Sequence, residues 1–223
     1  MKESKTILVF GDSNTWGYNP FNKSPFLPFD RWEEEVRWTS VLRRELGNGC
    51  RVIADGLCGR TASARDDIDD YTCGRDQIVP ALRVHGPVDL LILMLGSNDL
   101  KARYGYTAYD VANSVGMVVE RALQTRDAFT GGEGKILLIC PPPLALPPRS
   151  FFRFEFEGRE EVSHRMAPFF ELIAEKYGVS YLNAGDYVRF SDADGLHFDA
   201  ENHRLLGETA AKKVKEILWE GKR

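Results

Sequence analysis

A serine, an aspartate and a histidine occur in segments of this chain where a nucleophilic centre could form. Ser13 lies in the polar segment 11–17, which directly follows an apolar run. Asp194 and His197 lie three residues apart near the other end of the chain. A serine hydroxyl is a weak nucleophile unless a base lies beside it. A histidine base in turn needs a carboxylate that fixes its tautomer, so these three residue types together indicate acyl transfer.

The segment around Ser13 also allows two simpler interpretations. Glycine, aspartate and serine are common in turns and at helix N-caps, so the segment could do no more than start a helix. A phosphate-binding loop is a weaker alternative, because the segment has neither a Gly-x-Gly-x-x-Gly nor a Gly-Lys-Ser/Thr pattern. The late Asp194–His197 pair favours catalysis, since its loop could return to the first strand. His164 and His203 lie in helical patterns among charged residues, and we predict that both lie at the surface.

Two more polar turns follow predicted strands. The third predicted strand ends in segment 96–99, where the side-chain amide of Asn98 could donate to an oxyanion. The second continues into segment 55–61, where Gly56 or Gly59 would let a backbone N–H approach a ligand closely. Glycine, asparagine and aspartate are also common in turns that have no role in catalysis. Ligands bind at the carboxyl ends of parallel strands, however, so we predict that the three turns meet at one edge of the sheet.

Metal and disulfide sites are not expected. The acidic segment 66–70 lacks the spacing and the turn glycine of an EF-hand, so we predict a solvated loop and no bound metal. No two cysteines have the Cys-x-x-Cys spacing of a zinc or redox site. We expect four reduced thiols, namely Cys50, Cys58, Cys73 and Cys140.

Apolar runs that are rich in β-branched residues alternate along the chain with segments of helical periodicity. The predicted strands are 6–10, 51–54, 90–95, 136–139 and 179–182. The predicted helices are 38–46, 76–84, 107–123, 160–177 and 199–219. Strands that alternate with helices predict an α/β fold, and three almost wholly apolar runs suit strands that are buried on both faces. We therefore expect a three-layer α/β/α sandwich with a five-stranded parallel sheet.

Three long segments interrupt this alternation, at about 19–37, 65–77 and 141–158. Loops of this length in a compact domain are usually functional or serve subunit contacts. The third contains a Phe-Arg-Phe-Glu-Phe alternation at 152–156, which suits an edge strand. Its aromatic side chains would also suit an oligomer contact or a lid over an acyl pocket. We expect one domain, residues 1–223, with these segments as loop insertions.

Composition and charge exclude several classes of protein. The chain has 223 residues, with 29 lysines and arginines against 33 aspartates and glutamates, which gives a formal net charge of −4. Nucleic-acid-binding proteins carry a basic face, and binding to anionic lipid needs a polybasic stretch. No apolar run reaches the roughly 18 residues of a membrane span, and no signal-peptide pattern follows Met1. We expect a cytoplasmic protein that binds neither nucleic acid nor membrane.

The residues described above resemble the sequence blocks of the GDSL-type, or SGNH, hydrolases, which carry Ser, Gly, Asn and His in that order. The matching residues are Ser13, Gly59, Asn98 and His197, with Asp194 to complete a triad. The resemblance runs from residue 6 to the last helix. It implies a flavodoxin-like sheet and an oxyanion hole of Ser13, Gly59 and Asn98. Asn14 departs from the family, because it stands where the family has the leucine of its name.

Longer motifs resemble the mycobacterial aryl esterase/acyltransferase branch of these hydrolases. They lie at 10–17, 36–39, 94–99, 141–145 and 156–158. That branch hydrolyses short acyl esters and can transfer the acyl group to alcohols or peroxide. Its members form homo-oligomers, octamers among them, in which inserted loops cover the active site. The resemblance therefore implies a homo-oligomeric esterase that acts on a small-molecule ester and needs no metal or organic cofactor.

Two further residues lie near the predicted site, and two further functions stay open. Asp12 is expected to bond to nearby backbone, with a supporting role at the substrate pocket as the alternative, and Trp16 either lines the alcohol pocket or packs in the core. A carbohydrate O-acetyl esterase would use the same fold and triad. A flavodoxin-like nucleotide-binding module would leave the Asp194–His197 pair without a role. The aromatic, proline-rich loops favour a restricted pocket and short acyl groups.

Overall fold

Five parallel strands form a sheet in the part of the chain that the computed structural model describes, residues 4–21 and 30–220. The strands are β1 (Lys5–Gly11), β2 (Cys50–Gly56), β3 (Leu90–Met94), β4 (Ile136–Cys140) and β5 (Ser180–Asn183). Their order across the sheet is β2-β1-β3-β4-β5. In register, Val9 of β1 lies between Ala54 of β2 and Ile92 of β3. This is the flavodoxin-like strand order, and the predicted fold class is confirmed.

Burial along the strands follows their place in the sheet. Every residue of β3 and β4 is buried, and these are the runs that are apolar throughout. The edge strand β2 is only partly buried and has more polar residues. A central parallel strand is covered by helices on both faces, which explains why its sequence is apolar rather than alternating.

The helices pack in two groups. They are α1 (Ser13–Trp16), α2 (Trp38–Leu46), α3 (Gly74–His85), α4 (Ala108–Gln124), α5 (Glu160–His164), α6 (Met166–Tyr177) and α7 (Ala200–Lys215). One group consists of α2 and α7, which pack against each other. In the other, α4 packs between α3 and α6. None of these helices is both long enough and apolar enough to cross a membrane.

Three predicted elements differ in the structure. The predicted helix 160–177 is broken at Arg165, where Pro168 lies in the first turn of α6 and cannot donate a backbone hydrogen bond to His164. The expected edge strand at 152–156 is wrong. The Phe152 carbonyl there accepts from the backbone N–H groups of Glu155 and Phe156, which closes a helical turn. The last helix ends at Lys215 and continues as a π-helical turn.

Where the structure describes them, the first and third predicted insertions contain short 3-10 turns at Glu34–Val36 and Phe151–Arg153, and the second overlaps the start of α3 at Gly74. Residues 22–29, including Pro25 and Pro28 of the first insertion, lie outside the described residues. The four cysteines are free thiols, as expected.

Candidate active site

Ser13 is the first residue of the short helix α1, directly after β1. The carboxylate of Asp12 caps this helix, since its Oδ1 accepts from the backbone N–H of Asn14 at 2.9 Å. The tight turn from strand to helix places Ser13 at the carboxyl edge of the sheet, beside the point where the strand order reverses. In folds of this kind, that edge is where ligands bind.

Ser13, His197 and Asp194 form a continuous line of hydrogen bonds. The Ser13 Oγ lies 2.8 Å from Nε2 of His197, and Nδ1 of His197 lies 2.7 Å from Oδ2 of Asp194. All three side chains are buried. The other carboxylate oxygen of Asp194 accepts from the backbone N–H groups of Leu196 and His197, each at 2.9 Å. Asp194 thereby fixes both the tautomer of the imidazole and the turn that carries it.

Gly59 and Asn98 lie on the same cleft as Ser13 and His197. One N–H of the Asn98 amide donates to the carbonyl oxygen of Arg60 at 3.1 Å. A side-chain amide nitrogen has two donors, and the second N–H of Asn98 has no partner in residues 4–21 and 30–220, so it can donate to a ligand. The structure thus brings the four residues of the predicted sequence blocks to one edge of the sheet.

Gly56 and Gly59, the two candidates for the second block, lie in different surroundings. Gly56 ends β2, and a Cβ atom there would lie 2.2 Å from the backbone nitrogen of Trp16. Gly56 therefore permits the close packing of α1 against β2. Gly59 has a φ of 78°, which favours glycine, and it borders the cleft. Its position is the one that suits a backbone donor to a bound ligand.

Buried charges hold the loops of the site in place. The Arg60 guanidinium donates to the carbonyl oxygens of Gly11 and Asp55 and pairs with the Asp55 carboxylate at 2.8 Å. This arginine therefore ties the Gly59 loop to the ends of β1 and β2. The carboxylate of Asp99 accepts from the backbone N–H groups of residues 62–64, which fixes the same loop beside Asn98.

Asp12 and Trp16 do not border the cleft that the described residues form. Asp12 is buried beneath Ser13, and this burial raises its pKa to about 6. Its bond to the Asn14 backbone matches the expected structural role. Trp16 is partly buried, and the Arg31 guanidinium covers its ring at 4.6 Å from the ring centroid. The structure therefore places Trp16 under Arg31.

Aromatic rings enclose the side of the cleft that holds Ser13 and His197. The Tyr18 ring stacks on the His197 imidazole with a centroid distance of 4.0 Å, and Phe152 meets the same ring edge-on at 5.3 Å. The cleft bounded by the described residues has a volume of about 250 Å³. This is small compared with the roughly 300–1,000 Å³ of typical ligand pockets. The space beside Ser13 therefore suits a small, partly apolar group.

A comparison with known protein families agrees with this geometry. A sequence model of the GDSL-like lipase/acylhydrolase family matches residues 9–205, which is most of the chain. The chain belongs to this family. It is a carboxylic-ester hydrolase with the SGNH fold, as the sequence blocks predicted. A search of curated proteins gave no significant match.

Solved structures place this acylhydrolase among two kinds of esterase. The M. smegmatis aryl esterase is 36% identical, with a TM-score of 0.90 over 96% of this chain and 100% of that one. A carbohydrate acetylesterase from Sinorhizobium meliloti is 35% identical, with the same TM-score and coverage. The two likenesses are equally strong, so they do not separate an aryl ester from a sugar acetate as the substrate.

The acidic segment of this acylhydrolase differs from its prediction. Asp66 is buried rather than solvated, and it forms ion pairs with Lys101 and Arg103 and accepts from the Tyr104 hydroxyl. Lys101 also pairs with Glu155 at 3.2 Å, which links segment 66–70 to the third insertion. Burial alone would raise the pKa of Asp66, but the Arg103 and Tyr104 hydrogen bonds outweigh it and hold the pKa well below its usual range. Among the described residues, no His, Cys, Asp and Glu side chains are grouped as metal ligands.

His203 is not at the surface, and that prediction is wrong. It lies on the face of α7 that packs against α2, where its Nδ1 accepts from the backbone N–H of Trp38 at 3.2 Å. Burial lowers its pKa to about 3, so it stays neutral. Its charged sequence neighbour Arg204 lies on the outer face of the helix and pairs there with two glutamates. His164 is exposed, as predicted.

Cys58 is a second nucleophilic side chain at the cleft, next to Gly59. Burial raises the pKa of its thiol to about 12. A cysteine acts as a nucleophile through its thiolate, so this raised pKa disfavours Cys58 as a nucleophile at neutral pH. Ser13 is therefore the stronger candidate for a nucleophile at this cleft.

Sequence reasoning did not find Tyr18, and it did not identify Asp66 as the carboxylate that pairs with Lys101. Tyr18 directly follows the glycine that ends the first block, and only its aromatic character distinguished it. For the ion pair, the available sign was a cluster of basic residues at 101–103 shortly after Asn98. A charged cluster is ordinarily a solvated surface, and only the fold brings the two segments together.

Proposed function

We propose that the protein is a serine esterase that cleaves short acyl esters through a covalent acyl-enzyme on Ser13. The observation that carries this proposal is the hydrogen-bonded line from Ser13 through His197 to Asp194 at the wall of a small cleft. A serine hydroxyl, a neutral imidazole and a carboxylate in this order form the arrangement that activates a serine for acyl transfer.

The acylation step follows from the hydrogen bonds. His197 Nε2 takes the hydroxyl proton as Ser13 Oγ attacks the ester carbonyl. The tetrahedral intermediate collapses when His197 gives this proton to the leaving alcohol. Water then attacks the acyl-enzyme in the same way, which releases the carboxylic acid and restores the hydroxyl of Ser13. Asp194 stabilises the imidazolium that forms in both steps.

The charge on the carbonyl oxygen needs donors that are fixed before the reaction begins. We assign this role to three donors, namely the backbone N–H groups of Ser13 and Gly59 and the second side-chain N–H of Asn98. Arg60 and Asp99 hold the loops that carry them, so little reorganisation is needed when the charge develops. Fixed donors of this kind supply a large share of the catalysis in such enzymes.

The cleft favours a short acyl chain on an aromatic or small alkyl alcohol. Its volume is small, and Tyr18 and Phe152 provide apolar surface next to the reacting atoms. An alcohol that enters the same space can replace water in the second step, and acyl transfer then competes with hydrolysis.

A sugar acetate is the second candidate substrate. Polar side chains, including Asp69, Lys101 and Glu155, also line the cleft and could bind sugar hydroxyl groups. The likeness to a carbohydrate acetylesterase supports the same candidate.

The proposal is tested with p-nitrophenyl esters from acetate to decanoate, assayed with wild type, Ser13→Ala and Ser40→Ala. Ser40 is a half-buried serine on α2, and Ser40→Ala controls for the effect of losing a hydroxyl. We expect wild type and Ser40→Ala to prefer short chains, and Ser13→Ala to fold normally but lose activity. A fully active Ser13→Ala would refute the mechanism.

The two substrate candidates are separated by measuring kcat/KM for phenyl acetate and for acetylated xylo-oligosaccharides with the same preparation. An aryl esterase is expected to favour phenyl acetate, and a preference for the sugar acetate would support the second candidate. Adding an alcohol to the phenyl acetate assay, and measuring the new ester against free acetate, gives the ratio of transfer to hydrolysis.

A further inference from the structure

Asn14 occupies the position at which this chain departs from the leucine of the GDSL pattern. It is the second residue of α1, next to Ser13, and it is almost fully buried. Its side chain does not border the cleft that the described residues form. The ordinary mechanism gives it no role, yet a buried amide is costly unless its polar atoms are bonded.

Both ends of the Asn14 amide bond to the backbone of the histidine loop. Its Nδ2 donates to the carbonyl oxygen of Leu196 at 3.1 Å, and its Oδ1 accepts from the backbone N–H of Phe198 at 3.2 Å. These two backbone groups flank His197. A neutral amide offers a donor and an acceptor, so it matches this C=O and N–H pair, whereas leucine can satisfy neither.

We propose that Asn14 is a positioning residue that holds the His197 loop at a fixed distance from Ser13. Asn14 and Ser13 are adjacent in α1, so the bonds from Asn14 fix the histidine loop to the helix that carries the nucleophile. Asp194 fixes the same loop from the other side, through the backbone N–H groups of Leu196 and His197. The segment 196–198 is therefore held from two directions, and the 2.8 Å contact between Ser13 and His197 depends on both.

This inference rests on the proposed function, because positioning matters only if His197 acts on Ser13. Its test uses Asn14→Leu, which keeps the number and branching of the side-chain heavy atoms but removes both bonds. Asn14→Asp is the second variant, since it retains an acceptor for the Phe198 N–H and loses the donor to Leu196. The matched control is Asn202→Leu. Asn202 is also buried and accepts from a distant backbone N–H, that of Arg189.

Activity is measured as kcat per active site, with the sites counted by the burst of p-nitrophenol on acylation. We expect Asn14→Leu to lower kcat about tenfold or more, because small misplacements of a catalytic base are costly. The kcat of Asn14→Asp is expected to lie between the kcat values of Asn14→Leu and wild type. Asn202→Leu is expected to lose stability and keep its kcat. An unchanged kcat per site in both Asn14 variants would overturn the proposal.

A second readout does not depend on ester turnover. Proton NMR can follow the downfield signal of the Nδ1 proton that His197 shares with Asp194, assigned by its absence in His197→Ala. We expect this signal to shift or broaden in Asn14→Leu and to stay unchanged in Asn202→Leu. An unchanged signal in Asn14→Leu would overturn the positioning role. If wild type shows the signal but cleaves no ester, the proposed function fails while the effect of Asn14 on the loop is still measured.

Discussion

Asp12 and Asp99 lie in the turns that end the strands, whereas Asp66 lies in a segment that covers the cleft. All three carboxylates are buried, yet their pKa values move in opposite directions. Burial raises the pKa of Asp12 and of Asp99 to about 6, because their hydrogen-bond donors are mainly neutral backbone amides. The pKa of Asp66 falls, because hydrogen bonds from Arg103 and Tyr104 outweigh its burial.

The opposite pKa shifts of these carboxylates correspond to two parts of the site with different roles. We call residues 11–17, 56–61 and 96–99, together with the loop 194–197 that precedes α7, the strand-end turns. We call residues 65–73, 101–104 and 151–156 the covering segments. The strand-end turns fix donors and acceptors around Ser13 with short bonds to backbone. The covering segments are held together by ion pairs and supply aromatic walls. Substitutions in the strand-end turns should therefore affect the chemical step, and those in the covering segments should affect stability and substrate choice.

The largest effect is expected from Asp194→Asn in a strand-end turn. Asparagine keeps the size of the side chain, but it stabilises the wrong tautomer of His197. We expect kcat to fall by about 10⁴-fold. Asp192→Asn is the control, because Asp192 lies in the same loop and is largely exposed. Equal activities of the two variants would show that Asp194 has no part in the chemistry.

Asn98→Ala is expected to have the next largest effect. Removing one oxyanion donor lowers kcat by about 10²–10³-fold with little change in KM. The neighbouring Ser97→Ala is the control, because the Ser97 hydroxyl is buried and has no hydrogen-bond partner among the described residues. A raised KM with normal kcat would instead place Asn98 in ground-state binding.

Asp66→Asn tests the covering segments through stability. It leaves the buried Lys101 with one carboxylate fewer, and we expect the free energy of unfolding at pH 7 to fall by about 3 kcal/mol. The pKa of Asp66 is depressed in the folded state, so its contribution is full above about pH 4 and is lost as the pH falls further. Urea denaturation at several pH values measures both effects. Asp67 is the exposed residue next to Asp66, and Asp67→Asn should change neither the free energy of unfolding at pH 7 nor its dependence on pH.

Phe152→Ala tests whether the covering segments select the substrate. We expect kcat/KM for short esters to fall about tenfold, in line with the cost of lost contacts in an apolar pocket. The relative rate with longer acyl chains should rise, because the cleft becomes larger. Phe154→Ala, at a ring that is 86% exposed, is the control. Unchanged chain-length selectivity in Phe152→Ala would remove this ring from the acyl pocket.

Asp12→Asn tests a pH dependence of stability whose sign is opposite to that of Asp66→Asn. The pKa of Asp12 is about 6 in the folded protein against an ordinary value of 3.8, so the folded state binds more protons between these values. Wild type should therefore lose stability relative to Asp12→Asn as the pH rises from about 4 to 6, by about 1.4 kcal/mol for each unit of pKa shift at most. A stability difference that stays constant over this range would contradict the raised pKa.

The strand-end turns could be predicted from the sequence because topology determines their place. Ser13, Asn98 and Gly59 each follow an apolar run, and parallel strands bring such positions to one edge whatever the connecting loops do. His197 lies in the loop just before the last helix, and a short loop there is enough to bring it to the first strand. The sheet could also be predicted, because its buried strands are apolar throughout.

The covering segments could not be predicted in the same way. Their side chains meet across large sequence separations, as in the pair between Lys101 and Asp66. The alternation at 152–156 suggested a strand, but the burial of Phe156 and two local backbone hydrogen bonds favour a turn. His203 was predicted at the surface because its sequence neighbours are charged. In a helix, however, charged residues on one face do not show whether the opposite face is buried.

Covalent trapping tests the assignment of Ser13 most directly. The protein is incubated with a p-nitrophenyl alkylphosphonate, which transfers its phosphonyl group to an activated serine and releases p-nitrophenol. Peptide mass spectrometry then locates the label in wild type and in Ser13→Ala. We expect one label per chain, on Ser13, and none in Ser13→Ala. A label on another residue, or equal labelling of the variant, would contradict the assignment of Ser13 as the nucleophile.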